Sequence, residues 1–455
     1  MSPPWTKAAI AGGRRFLPHL PVTVTAVALL VWWSGWNPGI LSTSSVHLWD
    51  QVITGDFDNV APAVYPISMW VVTRLWESPA FVVLIQIALV VLLLFRYQRA
   101  ADRLGVPRWL SGIAVLAVGL LPAPASAIVS IDPGVARGIA ALWLLVESLV
   151  VAHSPATALA DRTTAVRLGL AAGAVSLLAP AGWVIGVGVL AALWFGVRRK
   201  PHLVWIPAAL AVGLFVLVRG PVYALVDVDG GVPVGEAYAP EIAAVVKYHP
   251  ESLDEADRTL LERAAPLDVW RDAYRCADGE ALLTDREFDV APIRSDPGAY
   301  RGLLFRMAAA EPATVIGHRV CAAGLVFLPW QPVGERFVSY TYIIPPNEAG
   351  LKRDTLWARG FNITKALLVR VDNPWNRWLF WRPGILVWPA LAMVAAAAIR
   401  RRRRILFPGL VFVAVLGVTA LTIRAPVYVD LFAVYLLALA ALPLWWAVFR
   451  RQPSQ

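Results

Sequence analysis

Carboxylates in one Trp- and Pro-rich stretch are the first residues of this chain whose type and spacing suggest chemistry. Residues 37–78 read NPGILSTSSVHLWDQVITGDFDNVAPAVYPISMWVVTRLWES and carry Asp50, Asp56 and Asp58, while Asp132 stands in a second acid-bearing connector. A loop carboxylate can take a proton from an acceptor hydroxyl, or hold a divalent metal against a diphosphate. Arg137, Arg219 and Arg424 stand at the ends of apolar runs on the same side as these acids. There a guanidinium can clamp a lipid phosphate, or simply anchor the interface. Trp49 is far from any expected interface and could stack on a sugar ring. Glu147 lies inside an apolar run, where a charge costs about 2.5–3.5 kcal/mol on insertion scales. It reads either as a functional group or as a protonated or snorkelling acid near the end of its helix.

Other chemistry lacks its signature. The chain has no phosphate loop, dinucleotide fingerprint, zinc spacing or nucleophile elbow. Its six histidines are scattered. For each aspartate the plain alternative is a solvated loop acid or a helix cap.

The elements that must position these residues are apolar. Of 455 residues, 58% are hydrophobic and 16% charged, and the mean hydropathy is +0.61. A soluble domain of that composition could not cover its own surface, so lipid must be part of the solvent. Apolar runs occur at about 17–36, 79–95, 109–127, 135–152, 168–180, 183–197, 203–219, 383–399, 405–423 and 429–449, which predicts an all-α protein of about ten membrane-spanning helices. The fifth is short, and Pro180-Ala181-Gly182 turns it directly into the sixth. A further stretch, roughly 313–329, carries His318 and Arg319 at its centre and reads as an interfacial helix.

Charge orders these runs. Residues 220–382 hold 18 Lys/Arg and 22 Asp/Glu, a net of −4, which leaves +14 elsewhere in a chain whose total is +10. The positive residues form short clusters: Lys7, Arg14 and Arg15; Arg96 to Arg108; Arg162 and Arg167; Arg198, Arg199 and Lys200; Arg400 to Arg404; Arg450 and Arg451. All fall on one side if every run spans, which predicts a multi-pass plasma-membrane protein with both termini cytoplasmic. No basic stripe lies beside exposed aromatics, which argues against a nucleic-acid partner. The chain divides into an N-terminal bundle (1–219) with a long first outer loop (37–78), a mostly helical extracytoplasmic segment (220–382) and C-terminal spans (383–455). In the middle segment, Leu253 to Ala265 has helical periodicity with Ser252 as a candidate N-cap. The chain's two cysteines, Cys276 and Cys321, lie there too, either free or paired.

An acid-bearing first loop opposite a large outer segment resembles the glycosyltransferase-C superfamily, and more narrowly its uncharacterised actinobacterial members. Those carry a first loop of the form GILSPDS-x3-W-x-Q, then W-H-P, then L-W-K-D after the third helix. Gly39-Ile40-Leu41-Ser42, Ser45, Trp49 and Gln51 match the first motif and Pro62 the second. Tyr274-Arg275-Cys276, Asn347 to Leu351 and Phe380-Trp381-Arg382-Pro383-Gly384 are also similar. The resemblance implies transfer of a sugar from a polyprenyl-phosphate donor to a cell-envelope glycan or lipid, with membrane lipid as partner. The departures are specific. The motif's Asp falls on Ser44, its Trp-His on Val60-Ala61, and its Trp-Lys-Asp on Asp132-Pro133-Gly134. A serine is no general base at neutral pH without an activating neighbour. Either a displaced acid (Asp50, Asp56, Asp58 or Asp132) takes the role, or the chain is a catalytically inactive paralogue acting as an envelope scaffold or a lipid- or glycan-binding subunit. A transporter is a third reading, without the paired broken helices that reading favours.

Overall fold

The structure, a computed structural model, describes residues 19–179, 181–196, 200–228, 236–330 and 337–450. Lys7, Arg14, Arg15, Pro180, Arg198, Arg199 and Arg451 lie outside the described residues. Among the described residues the chain is helical, without strands, and two isolated bridges join Ile40 to Ser130 and Val338 to Val427. Backbone groups bonded within their own segment are what lipid requires of a spanning chain.

The apolar runs all become helices, and several start where the sequence offers a cap. Ser78 accepts from Ala80 N ahead of Pro79–Arg103, Asp132 accepts from Gly134 N ahead of Pro133–His153, and Asp161 accepts from Thr163 and Thr164 N ahead of Arg162–Leu178. Proline at the first helical position costs no hydrogen bond. Among the described residues six helices are long and apolar enough to cross a membrane: Pro79–Arg103, Pro133–His153, His202–Leu225, Pro374–Ile399, Arg403–Thr422 and Tyr428–Phe449. Arg108–Leu120 and Pro122–Ile128 make a seventh if taken as one span bent by 64°. The bend is a proline effect. Pro122 disfavours the helical region for the residue before it, and Leu121 is extended (φ −74°, ψ 132°). Leu20–Gly35, Val64–Thr73, Gly182–Trp194 and Pro312–Phe327 are apolar but shorter.

Pro133–His153 is the central helix, packed by Pro79–Arg103, Arg162–Leu178, Arg403–Thr422 and Tyr428–Ala441. A Cβ at Gly134 would strike the Val429 carbonyl, and one at Gly138 would strike the Phe432 ring. Glycine therefore lets the central and last helices approach backbone to backbone. Glu147 is fully buried in the central helix and takes a 2.5 Å hydrogen bond from Arg96 and one of 3.2 Å from Trp143 Nε1. Its charge is thus matched inside the bundle rather than snorkelled to water.

The bundle has two unlike ends. At one, Arg402 donates to Arg450 O (3.0 Å) and Arg450 to Gly105 O (3.3 Å), so three arginine-rich turns meet. At the other, residues 40–45, 126–132, 338–343 and 427–430 converge. The middle segment has its own core, with Ile242, Val245, Leu261, Trp270, Ile293, Tyr300 and Leu303 at its centre. Its predicted helix is Glu255–Glu262, and the cap is Asp254 rather than Ser252. Asp254 accepts from Asp257 N at 2.7 Å, whereas the Ser252 hydroxyl is engaged with His249 O. The Pro312–Phe327 helix packs between this segment and the spans Gly384–Ile399 and Arg403–Thr422. Its central charges face protein, with Arg319 paired to Glu241 and His318 Nδ1 2.9 Å from Tyr274 Oη. Cys276 and Cys321 are disulfide-bonded, with Cα atoms 5.9 Å apart, so the staple between loop and helix is present.

Candidate active site: a carboxylate-lined cavity

The first loop is built onto the segment between the bent helix and the central helix. Ile40 N donates to Val129 O (3.0 Å), Ile131 N donates to Ile40 O (3.2 Å), and Ser45 Oγ donates to Ile131 O (2.5 Å). Gln86 Nε2 reaches both Ile128 O and Ser130 O at 3.0 Å, and Tyr65 Oη donates to Gln86 Oε1 at 3.1 Å. These side chains satisfy carbonyls that neither helix can, as buried backbone requires. Ser42 caps Thr43–Thr54 in a reciprocal box with Ser45. Gly39 sits at φ +148°, a region glycine favours. The positions matching the glycosyltransferase-C motif are therefore the loop's scaffold.

That scaffold sets Ser44 beside Asp132, near enough to favour the charged carboxylate, while the Ser44 hydroxyl hydrogen-bonds Ser42 Oγ at 2.7 Å. Both line a cavity of about 600 Å³ with Ser42, Ser126, Ser130, Glu280, Ser339, Tyr340, Tyr342, Tyr428 and Asp430 among the other walls. The close approach at Gly134 brings Asp430, on the last helix, up to Asp132. Glu280 is delivered by the middle segment, where Gly279 N donates to Arg424 O at 2.7 Å. The fourth side is a strap, with Val338 N on Pro426 O (2.8 Å) and Tyr428 N on Val338 O (2.9 Å).

Burial raises the Asp132 carboxyl from 3.8 to about 7, and the neighbouring Asp430 carboxylate adds to the rise; the Gly134 N–H, Arg137 and Ser44 oppose it. A carboxyl held there exchanges protons readily at neutral pH, as a general acid or base must. The enclosing protein, and after it Asp430 and Asp278, also hold the Glu280 carboxyl above its ordinary value, while Arg424 pulls it down. No three His, Cys, Asp or Glu side chains among the described residues converge closely enough to hold a metal ion.

The predicted site residues separate. Asp132 lines the cavity. Arg137 donates to Asp430 at 3.4 Å, and Arg424 acts electrostatically on Asp430 and Glu280, so both stand behind the cavity acids. Asp50 and Asp56 are exposed away from the cavity, and Asp58 is paired with His47 at 2.8 Å. Trp49 is 6% exposed in the bundle core, so its ring faces protein rather than a sugar. Arg219 lies over the Phe215 ring (5.2 Å), outside this cavity but next to Val218 of a second one. That second cavity, about 360 Å³ and apolar, is walled by Val64, Tyr65, Met69, Gln86, Ile139, Trp143, Leu177 and Leu214 among others. Tyr65 and Gln86 form the partition between it and the segment ending at Asp132. Sequence reasoning missed Asp430 and Glu280. Asp430 carried a usable signal, since it stands one residue inside the final apolar run, where an acid is a functional hypothesis by default. No family model, curated protein or solved structure matches this chain.

Proposed function

We propose that this chain is a glycosyltransferase-C-like membrane enzyme that moves a sugar from a polyprenyl-phosphate donor to a hydroxyl of an envelope glycan or lipid. The observation that carries this reading is Asp132, a cavity carboxyl held near neutrality beside Ser44, the position where the resemblance expects an acid. On this reading the acid is displaced to the neighbouring Asp132 rather than lost. Asp132 takes the proton of the acceptor hydroxyl, the oxygen bonds to the anomeric carbon, and the polyprenyl phosphate departs with the electrons of the broken bond. Arg137 and Arg424 act on Asp430 and so position the acids. Arg219 remains for the phosphate, beside an apolar cavity suited to the hydrocarbon chain. In this reading the shorter apolar helices complete a bundle of about ten spans, with the arginine-rich end and both termini in the cytoplasm of a plasma-membrane protein. The cavity then opens on the outer face.

The second reading, a binding subunit without catalysis, draws on Ser44 itself. Asp132→Asn in the native host separates the two. The envelope glycan should change as it does on deletion of the gene. An unchanged glycan with normal protein levels removes Asp132 from catalysis and favours the binding subunit.

A further inference from the structure

The middle segment is polarised in charge. Residues 220–351 hold 11 Lys/Arg and 20 Asp/Glu, whereas residues 352–382 hold seven and two. The basic stretch belongs to the cavity end of the bundle, because Lys365 lies 4.6 Å over the ring of Tyr342, a wall residue. It therefore stands opposite the arginine-rich turns, outside the rule that orders the other basic clusters. Ion pairing does not account for it either. Among the described residues only Arg377 of the seven cations has a carboxylate partner, Asp372 at 3.1 Å. Arg353 sits over the Trp36 ring (4.4 Å), and a ring face orients a cation without neutralising it.

The helix Ala358–Val371 shows where the charge faces. Its inner side is fixed, with Gly360, Thr364, Leu368 and Val371 buried. Trp36 Nε1 donates to Thr364 Oγ1 at 2.8 Å, and a Cβ at Gly35 would strike the Phe361 backbone. On the outer side Arg359, Ile363, Leu367 and Arg370 follow one another at helical spacing, all exposed. Two apolar side chains thus stand between two arginines on one stripe. Trp375 (86% exposed) and Trp378 come next, at the start of the candidate span Pro374–Ile399. A helix that leads directly into a span lies at the membrane surface. There the apolar pair and the tryptophans enter the acyl boundary, while the arginines stay at headgroup level, where lipid phosphate is the counter-ion at hand.

We propose that this arm docks on anionic phospholipid headgroups. Arg359 and Arg370 contact the phosphates, and Ile363, Leu367, Trp375 and Trp378 seat the arm in the acyl boundary. The excess of cations selects lipids of net negative charge over zwitterionic ones. The inference rests on the chain spanning a membrane and not on the glycosyl-transfer reading.

The test is arginine footprinting with phenylglyoxal, read residue by residue by mass spectrometry. The full chain is held in nanodiscs of phosphatidylcholine alone or of an equal mixture with phosphatidylglycerol. Phosphatidylglycerol should slow labelling of Arg359 and Arg370 about fivefold, the worth of one cation at an anionic surface. About 1 M salt should restore the faster rate. Arg301, exposed in the acidic part of the segment, is the internal reference and should react alike in both discs. Ile363→Asn with Leu367→Asn, at exposed positions, should weaken the protection; full protection in that variant overturns the seating of the stripe. Equal rates at Arg359 and Arg370 in the two discs overturn the proposal. Equal slowing at Arg301 also overturns it, since that reports bulk surface charge. Protection by heparin without protection by phosphatidylglycerol assigns the arm to a soluble polyanion and overturns docking on lipid.

Discussion

Asp132→Asn isolates the proton held in the cavity. In the folded protein the Asp132 carboxyl sits at about 7 against an ordinary 3.8. Between those values the folded state carries a proton that the unfolded chain has released. The stability linked to this group is therefore whole below pH about 4, falls as pH rises to about 7, and is level beyond. At about 1.4 kcal/mol per pH unit, the interval amounts to about 4 kcal/mol. Asparagine keeps the oxygen that accepts from Gly134 N, at 2.8 Å in the native chain, but has no proton to lose. Thermal unfolding in detergent at intervals from pH 4 to 8, followed by tryptophan fluorescence, supplies the assay. Subtracting the Asp132→Asn curve removes the titrating groups that do not interact with Asp132 and leaves its own titration together with that of Asp430, to which it is coupled. The difference should slope downward with pH across that window, and infrared difference spectra should show a protonated carboxyl at pH 6 that the variant lacks. Parallel pH profiles, or a carboxyl that is fully ionised by pH 5, would refute the reasoning.

Gly134→Val should force the central helix off Val429, lower stability by about 1–3 kcal/mol as overpacking does, and weaken the effect of Asp430 on Asp132; an unchanged Asp132 titration in the folded variant counts against that placement. Arg96→Met leaves Glu147 buried without its cation and should cost about 3–5 kcal/mol, most of it recovered in the double variant with Glu147→Gln. Thiol labelling of the native membrane protein without reductant should find neither Cys276 nor Cys321. Replacing both by serine opens a loop of 45 residues and should cost up to about 4 kcal/mol by chain entropy.

The bundle was legible because lipid allows few alternatives: an apolar run of sufficient length is a helix, and Pro79 and Pro133 mark starts, whereas the run expected at 383–399 belongs to a candidate span that begins at Pro374. The run at 109–127 was read as one span, and the 64° bend at Pro122 went unread. Within the first loop, helical spacing was present and unread. Ser45, Leu48, Trp49 and Val52 share one face of Thr43–Thr54 and are buried. The same periodicity that sends Trp49 inward turns Asp50 to solvent. The middle segment's helix cap was misplaced by two residues because Ser252 and Asp254 are both good caps, and only the turn at His249 decides between them. Asp132 could be picked out as an acid in a short connector. Its partners could not, because Glu280 and Asp430 reach it from distant segments through packing, and packing leaves no local pattern in a sequence.

The cavity wall joins the earliest and latest parts of the chain, since Ile40 bridges Ser130 while Val338 bridges Val427. Synthesis delivers these pieces in order. The first loop and the segment ending at Asp132 can pair as soon as the central helix emerges, and they then wait for most of the remaining chain. During that wait Asp132 has no Asp430 beside it and no strap above it. The final helix adds Tyr428, Val429 and Asp430 to the wall and brings the Asp430 carboxyl up to Asp132. A chain that ends before Tyr428 would keep most of its candidate spans but lose Tyr428, Val429 and Asp430, and with them one wall of the cavity.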